Sequence, residues 1–517
     1  MAAYFFVSLH EKTCETMKRV LMMIAVVAAF ATQISAQSAF GERPKLVVGI
    51  VVDQMRWDYL SRYYNQFTNM GFRRLIDDGF SCNNCQINYV PTVTAIGHAS
   101  AYTGASPAFH GICGNNFYID GRKVYCTKDT TVDVVGTDNQ EKGQMSPRNM
   151  LSTTIGDQLR LHNDFRSKVV GVSYKDRAAI FPAGHSANAA YWLDTKRLCF
   201  YTSTYYMKEL PDYVKQVNDA LQKNEEVQKA GERIGFTPLC GTIITDMAIA
   251  ALEGERLGQG DATDMLCVSY SETDVIGHEW GTRGERTDAA YLTLDKDLKR
   301  LFDTLDKQVG KGQWVAFLTA DHGAAHNWRF MREHHLPGGP LWSDLGKDLA
   351  NYLKETLGVE KKVIGDIMDY RIFLNYKEME SEEEIEDVKD AIVSYVKTLP
   401  EYVTAVRFDQ VRHEALPERL AEQIAKGYYA GRAGDIVMIP KPHYYSSWKE
   451  APKGQTTHGE WNPYDAHIPC LFLGWKIPHG ATSREVHITD IAPTICQLLH
   501  IQQPSACIGE AITEITK

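Results

Sequence analysis

The sequence predicts an α/β protein with a large, mostly parallel central sheet flanked by helices and interrupted by inserted cap modules. Apolar, β-branched-rich runs recur at 46–52, 168–174, 265–270, 314–320 and 469–473. Continuous rather than alternating apolar strands suit a sheet buried on both faces. Segments with apolar residues at three- and four-residue spacing separate or follow them, at 72–78, 152–161, 240–257, 288–306 and 491–499, the pattern of strands joined by crossover helices. With 517 residues, 44% hydrophobic and 23% charged, the chain can bury a large core and carries no compositional mark of disorder, collagen or a pore.

At the start of the chain, Met17-Lys18-Arg19 precedes the apolar run 20–30 and then Ile34-Ser35-Ala36-Gln37. A basic n-region, a short h-region and a small residue at a cut site make a secretory signal peptide, so residues 1–36 are expected to be leader. Met17 opens that signal so cleanly that 1–16 are expected to precede the true start codon, Met1 being the alternative. The run falls short of the roughly 20 residues a spanning helix needs, and no cysteine follows it to carry a lipid. Export without a stable membrane anchor is expected.

Ten cysteines remain beyond the leader, and an even number in an exported protein permits disulfides. Cys82-Asn-Asn-Cys85 has no second closely spaced pair beside it, and reads as a disulfide or free thiols rather than a zinc knuckle. Cys267 and Cys470 stand in apolar runs and read as buried thiols. The net charge of −10 without a concentrated basic stretch argues against nucleic acid as a partner. Any positive field for an anionic substrate must then be local, and metal ions supply such a field.

Two stretches read as insertions. Residues 108–165, rich in Gly, Asn and Asp, form a loop-dominated excursion. Residues 345–440 are more charged, with a strand at 363–375, an acidic helix at 381–399 and a strand at 403–408, a small α+β cap module. The core is expected to comprise 37–344 and 441–517.

The chemistry stands at the strand ends. The run 46–52 ends at Asp53, 265–270 leads into Ser271-Glu-Thr-Asp274-Val-Ile-Gly-His278, and 314–320 ends at Asp321-His322-Gly323. Singly, Asp-His-Gly suits a turn, Asp274 and His278 a loop salt bridge, and Asp53 a helix cap. Together they place carboxylate and imidazole at the carboxyl edge of one sheet, where ligands bind, and point to metal. Imidazole plus carboxylate without paired thiolates suits catalytic zinc. His458, in the polar loop before 469–473, is a further ligand candidate. His467, closer to that strand, is a rival that suits packing better.

Tyr89-Val-Pro-Thr-Val-Thr94 reads as an extended approach into a small-residue helix that Gly104 stops. Thr94 opens the helix, where backbone N–H groups and the dipole favour a phosphate. It suits an N-cap or, with its proton removed by metal coordination, a nucleophile.

Asp53, Thr94, the Asp274–His278 pair, Asp321-His322-Gly323 and His458, in this order, resemble the two-zinc signature of the alkaline phosphatase superfamily, in the branch shared with nucleotide pyrophosphatase/phosphodiesterases. Lys175-Asp-Arg177, just after the strand 168–174, is similar to the Lys-x-Arg element of the PafA-type bacterial phosphate monoesterases, and Asn115 in Gly114-Asn115-Asn116 resembles their phosphate-touching asparagine. The resemblance covers nearly the whole mature chain and implies an alkaline phosphatase-like fold in an exported, periplasmic or secreted, bacterial protein. It implies two Zn2+ ions, one held by Asp53, Asp321 and His322 with the Thr94 oxygen and one by Asp274, His278 and His458. Thr94 would form a phosphothreonine, with Asn115, Lys175 and Arg177 on the nonbridging oxygens of a small-molecule phosphate monoester. Lys175 and Arg177 tip the reading to monoesters, since a dianion with three free oxygens rewards two added cationic donors. A phosphodiesterase or nucleotide pyrophosphatase is the nearest alternative, and an inactive phosphate-binding or surface protein a more distant one. The oligomeric state is open, with a monomer favoured.

Overall fold

The computed structural model describes residues 42–341, 344–446 and 455–516, together with Met17, Met22 and Met23; the rest of the expected signal peptide and its cut site lie outside the described residues. The unit Pro44–Lys517 is built on a ten-stranded sheet. Its central strands are β1 (Leu46–Val52), β2 (Val169–Ser173), β3 (Asp264–Tyr270) and β4 (Trp314–Thr319). β1 lies parallel between β3 and β4, and β3 pairs parallel with β2. Every residue of these strands is buried. Because successive side chains point to opposite faces, both faces must be covered, which is why the runs are continuously apolar.

Outward from β2 the sheet continues through Ala189–Asp194, Cys199–Ser203 and Val134–Val135, and outward from β4 through Cys470–Gly474, Phe80–Cys82 and Gly480–Thr482. The run 469–473, grouped from its sequence with the parallel frame, instead enters antiparallel to β4, with Thr319 opposite Cys470 and Val315 opposite Gly474. Reversed direction brings the start of this strand, not its end, to the carboxyl edge of β4. The polar loop that precedes it therefore reaches the same edge as Asp53 and Asp321.

The expected helices form at Phe72–Asp77, Ile155–His162, Leu239–Gly254, Glu285–Leu305 and Ile491–Leu498. Within 108–165 the chain makes a hairpin, Asn116–Ile119 with Arg122–Tyr125, and lends Val134–Val135 to the main sheet. Within 345–440, four strands pair in the order Ile364–Met368, Arg371–Leu374, Ile436–Pro440, Tyr402–Arg407. Helices Leu345–Leu357 and Glu382–Thr398 pack on them through Leu349, Leu353, Val388 and Ile392, in a hydrophobic cluster distinct from the main core. The single strand expected at 363–375 is a hairpin: Met368 stands opposite Arg371 across Asp369 and Tyr370, whose φ values are +50° and +57°. A two-residue hairpin turn with positive φ at both central residues is usually signalled by Asn-Gly or Asp-Gly; Asp-Tyr does not advertise the turn. The ten cysteines beyond the leader are all free thiols.

Candidate active site

Asp53 directly follows β1, and Asp321 and His322 follow β4; all three are fully buried. Asp274 and His278 stand one turn apart on a helix rather than a loop, α3 (Glu272–Trp280). That spacing puts them on one face, and His278 Nε2 lies 3.1 Å from Asp274 Oδ1. His458 arrives on the loop before Cys470–Gly474, its Nε2 3.6 Å from Asp274 Oδ1. In the other group, His322 Nε2 lies 3.6 Å from Asp53 Oδ1 and 3.5 Å from Asp321 Oδ2. The six residues thus form two carboxylate–imidazole groups, Asp274–His278–His458 and Asp53–Asp321–His322, each with its ligand atoms within 4.8 Å of one another. The rings of His322 and His458 stack at 3.5 Å and join the groups.

Each imidazole is held by a backbone carbonyl. His278 Nδ1 donates to the Thr456 carbonyl at 2.9 Å, His458 Nδ1 to Thr92 O at 2.7 Å and His322 Nδ1 to Gly323 O at 3.0 Å. A carbonyl only accepts, so each Nδ1 carries a proton, and Nε2 is the ring nitrogen that faces the carboxylates. Asp53 Oδ1, Asp321 Oδ2 and His322 Nε2 are buried without a hydrogen-bond partner, although buried polar atoms are otherwise almost always satisfied. Three such atoms, in residues whose ligand atoms lie within 4.8 Å of one another, fit a cation.

The electrostatics agree. Burial, then the neighbouring Asp321 carboxylate, pushes the Asp53 carboxyl well above the usual range. Burial would also raise Asp274, but His278 and Lys175 overcome it and hold that carboxyl well below. Burial and the adjacent His322 keep His458 neutral, well below the usual histidine range. Lys175 stands as a cation between the groups: its Nζ donates to Asp53 Oδ2 at 2.8 Å and to Asp274 Oδ2 at 2.6 Å.

Lys175 is the N-cap of α2 (Asp176–Ala183), and Arg177 stands in its first turn. Arg177 Nη1 donates to the Tyr125 hydroxyl at 3.0 Å while its Nε is buried and unpartnered. Thr94 opens α1 (Thr94–Thr103) and is 1% exposed. Asn115 Oδ1 accepts from the Ala95 N–H at 3.1 Å, so the asparagine sits over the helix N-terminus beside Thr94. Gly97 lets this helix lie against the metal-ligand candidates: a Cβ there would stand 2.3 Å from Asp321 O and 2.5 Å from Asp321 Cβ. His467 joins neither group; its ring stacks on Trp57 at 4.6 Å and its Nε2 donates to Asn83 O at 3.0 Å.

Two residues of the site went unnoticed in the sequence. Gln54, at φ +64°, donates its N–H to Asp321 Oδ1 at 3.1 Å and its Nε2 to Asp274 Oδ1 at 2.6 Å, bridging the groups. His98, fully buried one turn after Thr94, places Nδ1 2.9 Å from Thr94 O and 3.2 Å from Asp321 Oδ2, and accepts from the Ser269 hydroxyl at Nε2, 2.7 Å away. Its spacing of four from Thr94 was the available signal.

Residues 47–465 match the model of the type I phosphodiesterase / nucleotide pyrophosphatase family. The chain is 42% identical over 522 residues to alkaline phosphatase PafA of Elizabethkingia meningoseptica, covering 92% of this chain and 94% of that protein. It is also 42% identical over 523 residues to a protein of Myroides odoratus named a calcium-transporting ATPase, covering 92% of this chain and 95% of that one. The crystal structure of wild-type alkaline phosphatase PafA superposes with a TM-score of 0.88 at 41% identity, over 92% of this chain and 99% of that one. The chain belongs to the type I phosphodiesterase / nucleotide pyrophosphatase family, among its PafA-type alkaline phosphatases.

Proposed function

We propose that this protein is an exported, zinc-dependent alkaline phosphatase that hydrolyses small-molecule phosphate monoesters through a phosphothreonine on Thr94. The observation that carries the reading is the pair of carboxylate–imidazole groups, with three Nε2 atoms facing buried carboxylates, against the segment that carries Thr94. Both groups touch that segment, one through His458 on Thr92 O and the other through Asp321 on His98.

Asp53, Asp321, His322 and the Thr94 oxygen would hold one zinc, and Asp274, His278 and His458 the other. Zinc at such positions supplies a Lewis-acid field that lowers the pKa of a hydroxyl or water and neutralises developing oxygen charge. The Thr94 hydroxyl gives up its proton to solvent, its oxygen forms the new bond to phosphorus as the bond to the ester oxygen breaks, and the departing alkoxide takes a proton from solvent to leave as the alcohol. Water then attacks the same phosphorus, releasing phosphate and restoring the hydroxyl. The N-terminus of α1 favours the anion at Thr94. Asn115, Lys175 and Arg177 hold the nonbridging oxygens, since a loose transition state leaves mostly positioning and electrostatics for the protein to supply.

Two cationic side chains favour a dianionic monoester over a monoanionic diester. A diesterase reading draws support from the family model matched by residues 47–465, which is that of type I phosphodiesterases and nucleotide pyrophosphatases. Rates on p-nitrophenyl phosphate and bis-p-nitrophenyl phosphate separate the two; faster diester turnover would overturn the monoesterase.

A further inference from the structure

A large hollow adjoins the metal-ligand candidates. This cavity of about 1040 Å³ lies under the 345–440 segment, lined on that side by Leu345, Ile367, Met368 and Tyr370 and on the other by Thr457 and His458. It therefore shares one wall, His458, with the Asp274–His278–His458 group. The hairpin turn at Asp369 and Tyr370 brings the two sides together: a Cβ on Gly459 would meet the Tyr370 ring at 3.1 Å.

From this juxtaposition we infer that the cavity receives the leaving group of the substrate, and that it has room for a bulky alcohol such as an aryl one. The inference rests on the phosphatase reading. In an in-line displacement the departing oxygen lies opposite the attacking one. Thr94 belongs with Asp53, Asp321 and His322 in that reading, so the departing oxygen lies toward Asp274, His278 and His458, and the cavity opens on the last of these. Its lining on the 345–440 side mixes these apolar side chains with Lys347, Lys354, Lys361 and Lys362, and the apolar part, removed from water, contributes binding of about 25 cal/mol per Å². Some of the charged residues around it are engaged: Lys354 with Glu360 at 2.8 Å, Lys361 with Glu380, Asp369 with Arg371 at 3.1 Å, and Asp366 with Lys123.

Gly346 and Ala350 also line the cavity, on helix Leu345–Leu357, one turn apart and away from the metal-ligand candidates. A Cβ on Gly346 would meet only Ile367 Cδ1, at 3.8 Å, so a large side chain there extends into open space. Gly346→Trp and Ala350→Trp should each lower kcat/KM for 1-naphthyl phosphate about tenfold or more, the scale on which apolar pocket contacts discriminate substrates. Methyl phosphate, whose leaving group does not reach the cavity, should change less than about twofold. Naphthyl turnover kept by both variants, or equal loss on both substrates in both variants, would overturn the assignment. Failure of the unmodified protein to hydrolyse methyl phosphate at all would instead count against the phosphatase reading.

Discussion

The Lys175 ammonium stands 2.6 Å from Asp274 Oδ2 while its other contact, at 2.8 Å, is Asp53 Oδ2, so one side chain ties together the two groups that would each hold a metal. Its surroundings keep it charged: burial alone would lower its pKa, but the Asp274 and Asp53 carboxylates raise it. A positive charge fixed between the two groups suits a site that must attract a doubly charged phosphate.

Removing that charge together with its neighbour tests substrate class. Lys175→Ala with Arg177→Ala should reduce kcat/KM for p-nitrophenyl phosphate by about a hundredfold or more, the range for losing oxyanion donors, and for the bis-ester far less. Equal losses on both would remove the reason for preferring monoesters.

Thr94→Ala should abolish the covalent phosphoenzyme trapped by acid quench and lower turnover by at least about a thousandfold. Zinc content by elemental analysis should stay near that of the unaltered protein, because three protein ligands of that group remain. Full activity in this variant would contradict the mechanism.

Gln54→Ala removes the amide that donates to Asp274 Oδ1 at 2.6 Å. Partners that orient a ligand typically contribute about 10–100-fold in metal affinity. Competition with a zinc-binding dye should show a loss of that order; unchanged affinity would make Gln54 a packing residue only.

Burial, reinforced by Asp297, raises the Glu272 carboxyl to about 8. A carboxyl with a raised folded-state pKa favours the folded state fully below its unfolded pKa and loses that contribution as pH rises through the folded one. Glu272 should therefore weaken the fold progressively between the ordinary glutamate range and about 8. Glu272→Gln, which keeps the shape against Gly241 without the titration, should gain melting temperature over the unaltered protein at pH 8 and little at pH 5. Equal differences at the two pH values would contradict the shift.

Much of the site was legible because its chemistry sits where apolar runs stop. Asp53 and Asp321 announce themselves as carboxylates following β1 and β4, and the Asp274–His278 spacing fits one helix face once α3 is known. Direction was not legible: nothing in 469–473 tells a parallel from an antiparallel neighbour, and only the pairing of Thr319 with Cys470 explains how His458 reaches the carboxyl edge. Gln54 escaped notice because its role depends on a left-handed backbone, which sequence signals reliably only with glycine or asparagine. The cavity escaped for a different reason, since its lining, mostly within residues 341–370, reaches the active-site loop only where Thr457 and His458, far along the chain, come close to the Asp369–Tyr370 turn.

The most direct test is one experiment on the mature protein reconstituted with zinc: metal stoichiometry by elemental analysis alongside kcat/KM for p-nitrophenyl phosphate and its bis-ester. A two-metal phosphomonoesterase should bind two zinc ions per chain, lose activity on chelation, and hydrolyse the monoester faster. One zinc or none in an active enzyme, or faster hydrolysis of the diester, would contradict it.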